Sequence, residues 1–416
     1  MARSSTVQLA GLIPGLLASA AEAIRARPGQ RAASYLAGAW MGETSGAGPA
    51  PALSLSLAGK VAVDEAFRAL MVGMSHVPTT DALREVRAEL GAAASFYTER
   101  GWLDDPIRYH ETPPPLSSPR VSRSSSRGVE FDHLQFVSGY EPHVGEPGRA
   151  RWLSYKPVRT AHAWVLRHRG PARPWLVCVH GYRMGFPLAD FHAFRAEWLH
   201  QELGFNVVIP TLPLHGERTV GTRSGDGFFS AQFMDTVHCE AQAIWDLRRV
   251  LEWVKGQDPV GIGIYGISLG AYTAALLAAF ERDADCVIAG MPAVCLPRLL
   301  AEHAPRRLWT RAEGVGLSMD EVRSVLRVVS PLSIAPAVDR DRLHIYGALA
   351  DRLIPSEHVH ALWEHWGRPS IQWFEGSHLS FTWENVINDL VHRALAKSGL
   401  LGTTHVVEPP LITKAA

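Results

Sequence analysis

Cysteine is scarce: the 416 residues hold four, Cys178, Cys239, Cys286 and Cys295. Four thiols cannot staple a chain of this length, and no Cys-x-x-Cys or Cys/His spacing suggests zinc. Cys178 and Cys286 sit in apolar strand-like runs, which reads as buried free thiols in a reducing cytoplasm. An excess charge of either sign is also missing, because Lys+Arg and Asp+Glu stand at 41 each. No global field therefore favours nucleic acid or an anionic membrane. The basic residues are scattered except for Arg120, Arg123 and Arg127 in a Ser-rich stretch, which reads as a solvated linker. Finally, no uninterrupted apolar run is long enough to span a bilayer, which excludes an integral membrane segment.

What the chain does have is apolar content, 47% of residues, ample for one large domain with a smaller appendage. Residues 7–24 are mostly apolar, and Ala18-Ser19-Ala20 has the small-residue pattern of a signal-peptidase site. Pro14 and Gln8 interrupt that run, however, and the same residues read as a helix continuing to 27. The expectation is a helix and a cytoplasmic protein. Further helices are expected over 62–74 and after Thr79-Thr80-Asp81, where Leu83, Val86, Leu90 and Tyr97 fall on one face. Residues 42–51 read as a Gly/Pro/Ala loop. Residues 1–110 are thus expected to be a helical extension and 111–127 a Pro/Ser/Arg linker. A main domain over 128–400 and a loose tail over 401–416 complete the division.

In the main domain strands and helices alternate, which argues for a mostly parallel sheet with helices on both faces. Strands are expected over 130–137, 160–167, 175–179, 205–210, 286–290, 343–346 and 371–374. A helix is expected over 187–203, stopped by Gly204. A longer one covers 233–255, with Val237, Ala241, Ile244, Leu247, Leu251 and Val254 at steps of three and four. Between 291 and 337 the rhythm breaks. This insertion, with helical pieces and Trp309, follows a strand end and reads either as a lid over a site or as ordinary surface helices.

The chain is organised around the run from Val260 to Tyr272. An apolar strand reaches Tyr265, then Gly266-Ile267-Ser268-Leu269-Gly270 makes a Gly-x-Ser-x-Gly, and an Ala/Leu helix follows. Strand, tight turn and helix form the nucleophile-elbow context. A serine hydroxyl needs a base in reach, an acid to orient that base, and donors for an oxyanion. The acid fits Asp351, in the loop after the strand over 343–346; Asp341 precedes that strand and sits at the opposite end. The base fits His378, directly after the last strand. Oxyanion donors fit the backbone N–H groups of Leu269 and of Tyr182 in His180-Gly181-Tyr182, with His180 holding that loop. Arg183, Arg218 and Arg223 could grip a substrate carboxylate, although salt bridges to Glu217 and Asp226 that fix the loop are the favoured reading. Trp309 is a further candidate substrate contact. A metal at His180 and His215 lacks a third ligand at usable spacing.

This set (His180-Gly181, Gly266-Ile267-Ser268-Leu269-Gly270, Asp351 and His378) resembles the α/β-hydrolase superfamily of serine hydrolases over residues 128–400. The resemblance implies an eight-stranded, mostly parallel sheet, a Ser-His-Asp triad, an acyl-enzyme intermediate and no cofactor. It implies a small-molecule acyl substrate, most readily a carboxylic ester, with thioesters, amides or transfer to an alcohol as alternatives. Tyr182 and Arg183 stand where lipase-type members continue an extended Gly-rich motif, which argues against bulky tertiary-alcohol esters. Residues 1–110 lack the repeated strands of a gating propeller, which argues against a peptidase. A non-catalytic binding module on the same fold is the rival from another class.

Overall fold

A computed structural model describes residues 28–40, 48–73 and 77–401 of the chain. The expected helix over 7–27, the question of a signal peptide, most of the 42–51 loop and the tail from 402 lie outside the described residues. Nine strands form one sheet: β1 (Arg120–Ser126), β2 (Val129–Val137), β3 (Thr160–Leu166), β4 (Trp175–Val179), β5 (Asn206–Pro210), β6 (Ile262–Ile267), β7 (Cys286–Gly290), β8 (Leu343–Ala348) and β9 (Ser370–Phe374). Their order is β1-β2-β3-β5-β4-β6-β7-β8-β9, antiparallel from β1 to β5 and parallel from there on.

Every residue of β4, β5, β6, β7 and β8 is buried, as expected of parallel strands covered on both faces. The period of two survives inside these runs. Trp175, Val177, Val179, Ile264, Val287 and Ile345 face one core. Leu176, Cys178, Tyr265, Ile267, Ile288 and Tyr346 face the other.

The helices are α1 (Pro28–Trp40), α2 (Leu55–Gly73), α3 (Thr80–Glu99), α4 (Arg149–Ser154), α5 (Pro187–Phe194) and α6 (Phe233–Lys255), then α7 (Leu269–Leu277), α8 (Leu296–His303), α9 (Arg306–Gly314), α10 (Met319–Leu326), α11 (Ser356–His365) and α12 (Val386–Lys397). Among the described residues, no helix is long and apolar enough to cross a membrane. Thr79 caps α3 by accepting from the Ala82 N–H at 3.2 Å. The apolar stripe of α3 (Leu83, Val86, Leu90, Ala93, Tyr97) joins the same core as α6, α7 and α10. The insertion helices α9 and α10 pack on α3, so α3 and the insertion share one hydrophobic interior with the sheet, while α1 and α2 pack in a separate small cluster on Ala350.

Two expectations are corrected. The expected linker over 111–127 ends in a strand: 120–126 pairs residue for residue with β2, adding a ninth strand to the expected eight. Arg127 and Gly128, both at positive φ (47° and 87°), make the tight two-residue turn between them. One face of the strand (Val121, Arg123, Ser125) is exposed and the other (Ser122, Ser124, Ser126) only half-buried, so its Arg/Ser sequence carries no apolar alternation to reveal it. The second correction concerns the expected helix over 187–203. It stops at Phe194, where Arg195 turns left-handed (φ 49°), and a separate π-turn covers Trp198–Glu202. Arg195 then spans to α12 and the loop before it, donating to the Glu384 carbonyl at 2.7 Å and to Asn388.

Because α3 lies in the common core, Leu90→Ala is expected to lower stability by about 2–5 kcal/mol. Urea unfolding should keep a single transition at a lower midpoint; a separate early melting of α3 would contradict the shared core.

Candidate active site

Ser268 sits between β6 and α7 with φ 58° and ψ −116°, a backbone that a non-glycine residue adopts only under constraint. The constraint is the closeness of the flanking backbone. A Cβ on Gly266 would overlap the Gly270 carbonyl, and one on Gly270 would overlap the carbonyls of Val179 and His180. Both glycines of the motif are therefore required by space alone. The Ser268 N–H donates to the Gly290 carbonyl at 2.8 Å, which anchors the turn to β7. Leu269 opens α7, and no side-chain cap covers that helix start.

The structure brings Ser268, His378 and Asp351 into one hydrogen-bonded row. His378 Nε2 lies 3.0 Å from Ser268 Oγ, and its Nδ1 lies 2.7 Å from Asp351 Oδ2. The carboxylate can only accept, so Nδ1 carries the proton and Nε2 is free to accept from the serine hydroxyl. Asp351 Oδ1 is filled by the N–H groups of Leu353 (2.9 Å) and Ile354 (2.7 Å), which fixes the carboxylate's rotation. Burial pulls the His378 pKa down, but the charge and hydrogen bond of Asp351, with help from Asp64, outweigh it and hold the imidazole above its ordinary value.

The loop after β4 runs alongside. A methyl group on Gly181 would stand 3.6 Å from Ser268 Cβ, so the His180-Gly181-Tyr182 backbone passes close to the serine. His180 is fully buried; its Nε2 accepts from the Leu212 N–H at 3.0 Å and its Nδ1 donates to the Gly181 carbonyl at 2.9 Å. Burial lowers its pKa to about 4, so it is a neutral, loop-holding ring. His215 packs edge-on to it, and among the described residues no three side chains of metal-ligand type gather.

The arginines depart from a substrate-gripping role. Arg218 is 1% exposed and spends its donors on the Thr211 carbonyl, the Val158 carbonyl and Asp246 Oδ2 at 2.7 Å. Its partner is Asp246 on α6, not the neighbouring Glu217 as the sequence suggested. Arg183 pairs with Asp226, donates to the Ser224 carbonyl at 2.8 Å and lies over the Tyr182 ring. Both guanidiniums are engaged in fixing loops, Arg183 through Nη1 and Arg218 through both Nη atoms. Arg223 is exposed, and its backbone is drawn in to Asp226, its N–H donating to Oδ2 at 2.9 Å and its carbonyl accepting from the Asp226 N–H at 3.0 Å. Trp309 lies half-buried on α9 against the main core and is not part of the Ser268 row.

Two features escaped the sequence. One is a small apolar cluster of Ala293, Leu299 and Ile354 with Phe229 and Leu353 packed on it. It adjoins the row, since Ile354 follows the Asp351 turn and the Ala293 N–H reaches the Ser268 carbonyl at 3.4 Å. The other is Asp64 of α2, which contacts the backbone of both the Asp351 and the His378 loops. Its only signal in sequence is a charge on the inward stripe of a helix, at the spacing of Leu57 and Val61.

The sheet order, the elbow at the end of a central parallel strand and the loops that meet there give the chain an α/β-hydrolase fold. The fold likeness extends to acetyl xylan esterase 1 from Thermoanaerobacterium sp. JW/SL YS485, with a TM-score of 0.52, 16% identity, and coverage of 73% of this chain and 93% of that one. In sequence, the chain belongs to the family of two Mycobacterium tuberculosis proteins, Uncharacterized protein MT2702 (strain CDC 1551 / Oshkosh) and Uncharacterized protein Rv2627c (strain ATCC 25618 / H37Rv). It is 39% identical to each over 379 residues, covering 88% of this chain and 89% of theirs. No family model matches the sequence.

The spacing at the elbow is testable without a substrate. Gly270→Ala places a methyl group inside the Val179 carbonyl and is expected to cost about 3 kcal/mol or more in chemical denaturation, if soluble protein forms at all. A variant as stable as wild type would contradict the packing described.

Proposed function

We propose that the protein is a serine hydrolase cleaving carboxylic esters of small molecules through an acyl-enzyme. The observation that carries this reading is the row of 3.0 Å and 2.7 Å contacts through His378, set at a strained elbow. In the proposed reaction Ser268 Oγ attacks the acyl carbon while His378 Nε2 takes its proton. The same nitrogen then protonates the departing alcohol. A water, deprotonated by His378, attacks the acyl-serine and releases the acid. Asp351 keeps the ring in the right tautomer and stabilises the imidazolium.

The negative oxygen of each tetrahedral intermediate is assigned to the N–H groups of Leu269 and Tyr182. Losing one such donor typically costs about 3–4 kcal/mol of barrier. The first favours this role as the opening residue of α7, where the helix dipole adds positive potential. The second lies on the loop that passes Ser268. The apolar cluster of Ala293, Leu299, Ile354, Phe229 and Leu353 supports a substrate with an apolar group beside the scissile bond. In this reading the insertion over 291–337 forms one wall of the substrate site, through Ala293 and Leu299.

Fluorophosphonate labelling tests the reading most directly. Wild type is expected to label and Ser268→Ala not to, with ester hydrolysis in the variant falling by roughly 10⁴-fold or more. Absence of labelling in folded wild type would favour a non-catalytic binder instead. The pH profile is a second check. His378 must be neutral to act as base and its pKa is held above the ordinary 6.5, so kcat/KM should rise with pH through a limb lying above 6.5. An acid limb below that value would contradict the electrostatics of the row. A p-nitrophenyl ester series of rising acyl length would then size the site.

A further inference from the structure

The buried face of α2 carries Leu57, Val61, Asp64, Glu65, Arg68 and Leu70. An apolar anchor would have sufficed to dock this helix, and one exists: Ala32, Leu57 and Val61 pack on Ala350, beside Asp351. Next to it stands a carboxylate with no exposure at all. Burying a charge this way is costly unless its acceptor sites are filled, and here they are. Asp64 Oδ1 accepts from Ser377 Oγ at 3.0 Å and the Leu379 N–H at 2.9 Å. Its Oδ2 accepts from the His378 N–H at 2.8 Å and the Arg352 N–H at 3.0 Å. Three of these donors belong to residues 377–379, centred on the proposed base. The fourth belongs to the residue after the proposed acid.

We propose that Asp64 is a positioning residue of the active site: its carboxylate clamps the backbones of the loops bearing Asp351 and His378 and supplies a second negative charge beside the imidazolium formed in the reaction. This inference rests on the serine-hydrolase reading above. It makes the N-terminal segment part of the reacting apparatus. One carboxylate binding both loops sets the separation of His378 from Asp351, and so the aim of Nε2 at Ser268. The clamp is itself held. Glu65 pairs with the Arg352 side chain at 2.9 Å, that guanidinium lies over the Tyr35 ring of α1, and the Ser377 hydroxyl shares its one hydrogen between Asp64 Oδ1 and the Lys60 carbonyl, each at 3.0 Å.

The charged and titratable groups around Asp64 are Asp351, Arg352 and His378 on the two loops, with Lys60 and Glu65 on its own helix. Burial first, and then the charge of Asp351, push its pKa up to about 6, against the pull of His378 and the backbone donors. It is therefore ionised across the range in which His378 is a neutral base.

Asp64→Asn keeps the volume, removes the charge and leaves one acceptor oxygen where there were two. Its kcat on a p-nitrophenyl ester is expected to fall about 10- to 100-fold with KM within about threefold, the scale of a misaimed catalytic group. The acid limb of kcat/KM is expected to move to lower pH, because removing a neighbouring negative charge makes His378 easier to deprotonate. A purely structural residue would slow the enzyme without moving that limb. A D64N enzyme with wild-type kcat, or one slowed with an unmoved limb, overturns the proposal. If D64N does not fold, as judged by its thermal melt, Ser377→Ala removes one of the four donors and keeps the charge. Its kcat should fall about three- to tenfold, and a wild-type kcat there overturns the proposal as well. Fluorophosphonate labelling of wild type separates the two levels. Unlabelled wild type brings down the hydrolase reading and this inference with it, whereas labelled wild type leaves the variants to judge Asp64 alone.

Discussion

The site depends on how tightly α7 is driven into the ends of β4 and β6. Val179 pairs with Gly266 across the parallel ladder, and the start of α7 sits directly on the Val179 and His180 carbonyls. That contact allows no side chain at Gly270. It leaves Ser268 in a backbone conformation that relaxed loops avoid, and it brings the Gly181 backbone alongside. Strand order supplies the rest. The chain turns one way from β4 to β5 and the other way to β6, so the loops leaving those strands diverge at their carboxyl ends. The loops after β8 and β9 then reach across to deliver Asp351 and His378.

Much of this was legible because it rests on local rules. The five fully buried strands read as apolar runs, and the elbow is a contiguous motif with strand before and helix after. The Asp351 and His378 positions follow from where each falls just after a strand along the chain and from the Ser, then acid, then His sequence that the elbow context expects. What was not legible depends on contacts between distant segments. Strand β1 has no apolar face, so only its pairing with β2 makes it a strand. The choice of Asp246 over Glu217 by Arg218 is set by where α6 passes, 28 positions along the chain. The break at Arg195 reflects its reach to α12 and the loop before it, which no local propensity encodes.

Buried polar groups perform a common task in this molecule. Arg218 and Asp246 tie the loop after β5 to α6, with Ser138 as a further donor to Asp246 at 2.6 Å. Glu146 collects the hydroxyls of Tyr97 (2.7 Å) and Tyr109 (3.0 Å), fastening α3 and the segment after it to the connection between β2 and β3. Asp64 does the same for the loops after β8 and β9. Each is buried, each has several donors, and each joins segments that the apolar core alone would let slide. Removing one partner from any of them leaves a desolvated charge or acceptor behind, so these ties are stiff where hydrophobic contact is forgiving.

The distance along the chain between Asp64 and the loops it holds has a temporal side. Its donors lie 288 to 315 positions downstream. During synthesis on the ribosome, α2 emerges long before β8 and β9 exist, and its carboxylate stays solvated until nearly the whole polypeptide has been made. Apolar strands such as β4 and β6 can begin to condense earlier, but loop closure over some three hundred residues comes late. The nascent protein is thus built with its scaffold first and its working geometry last.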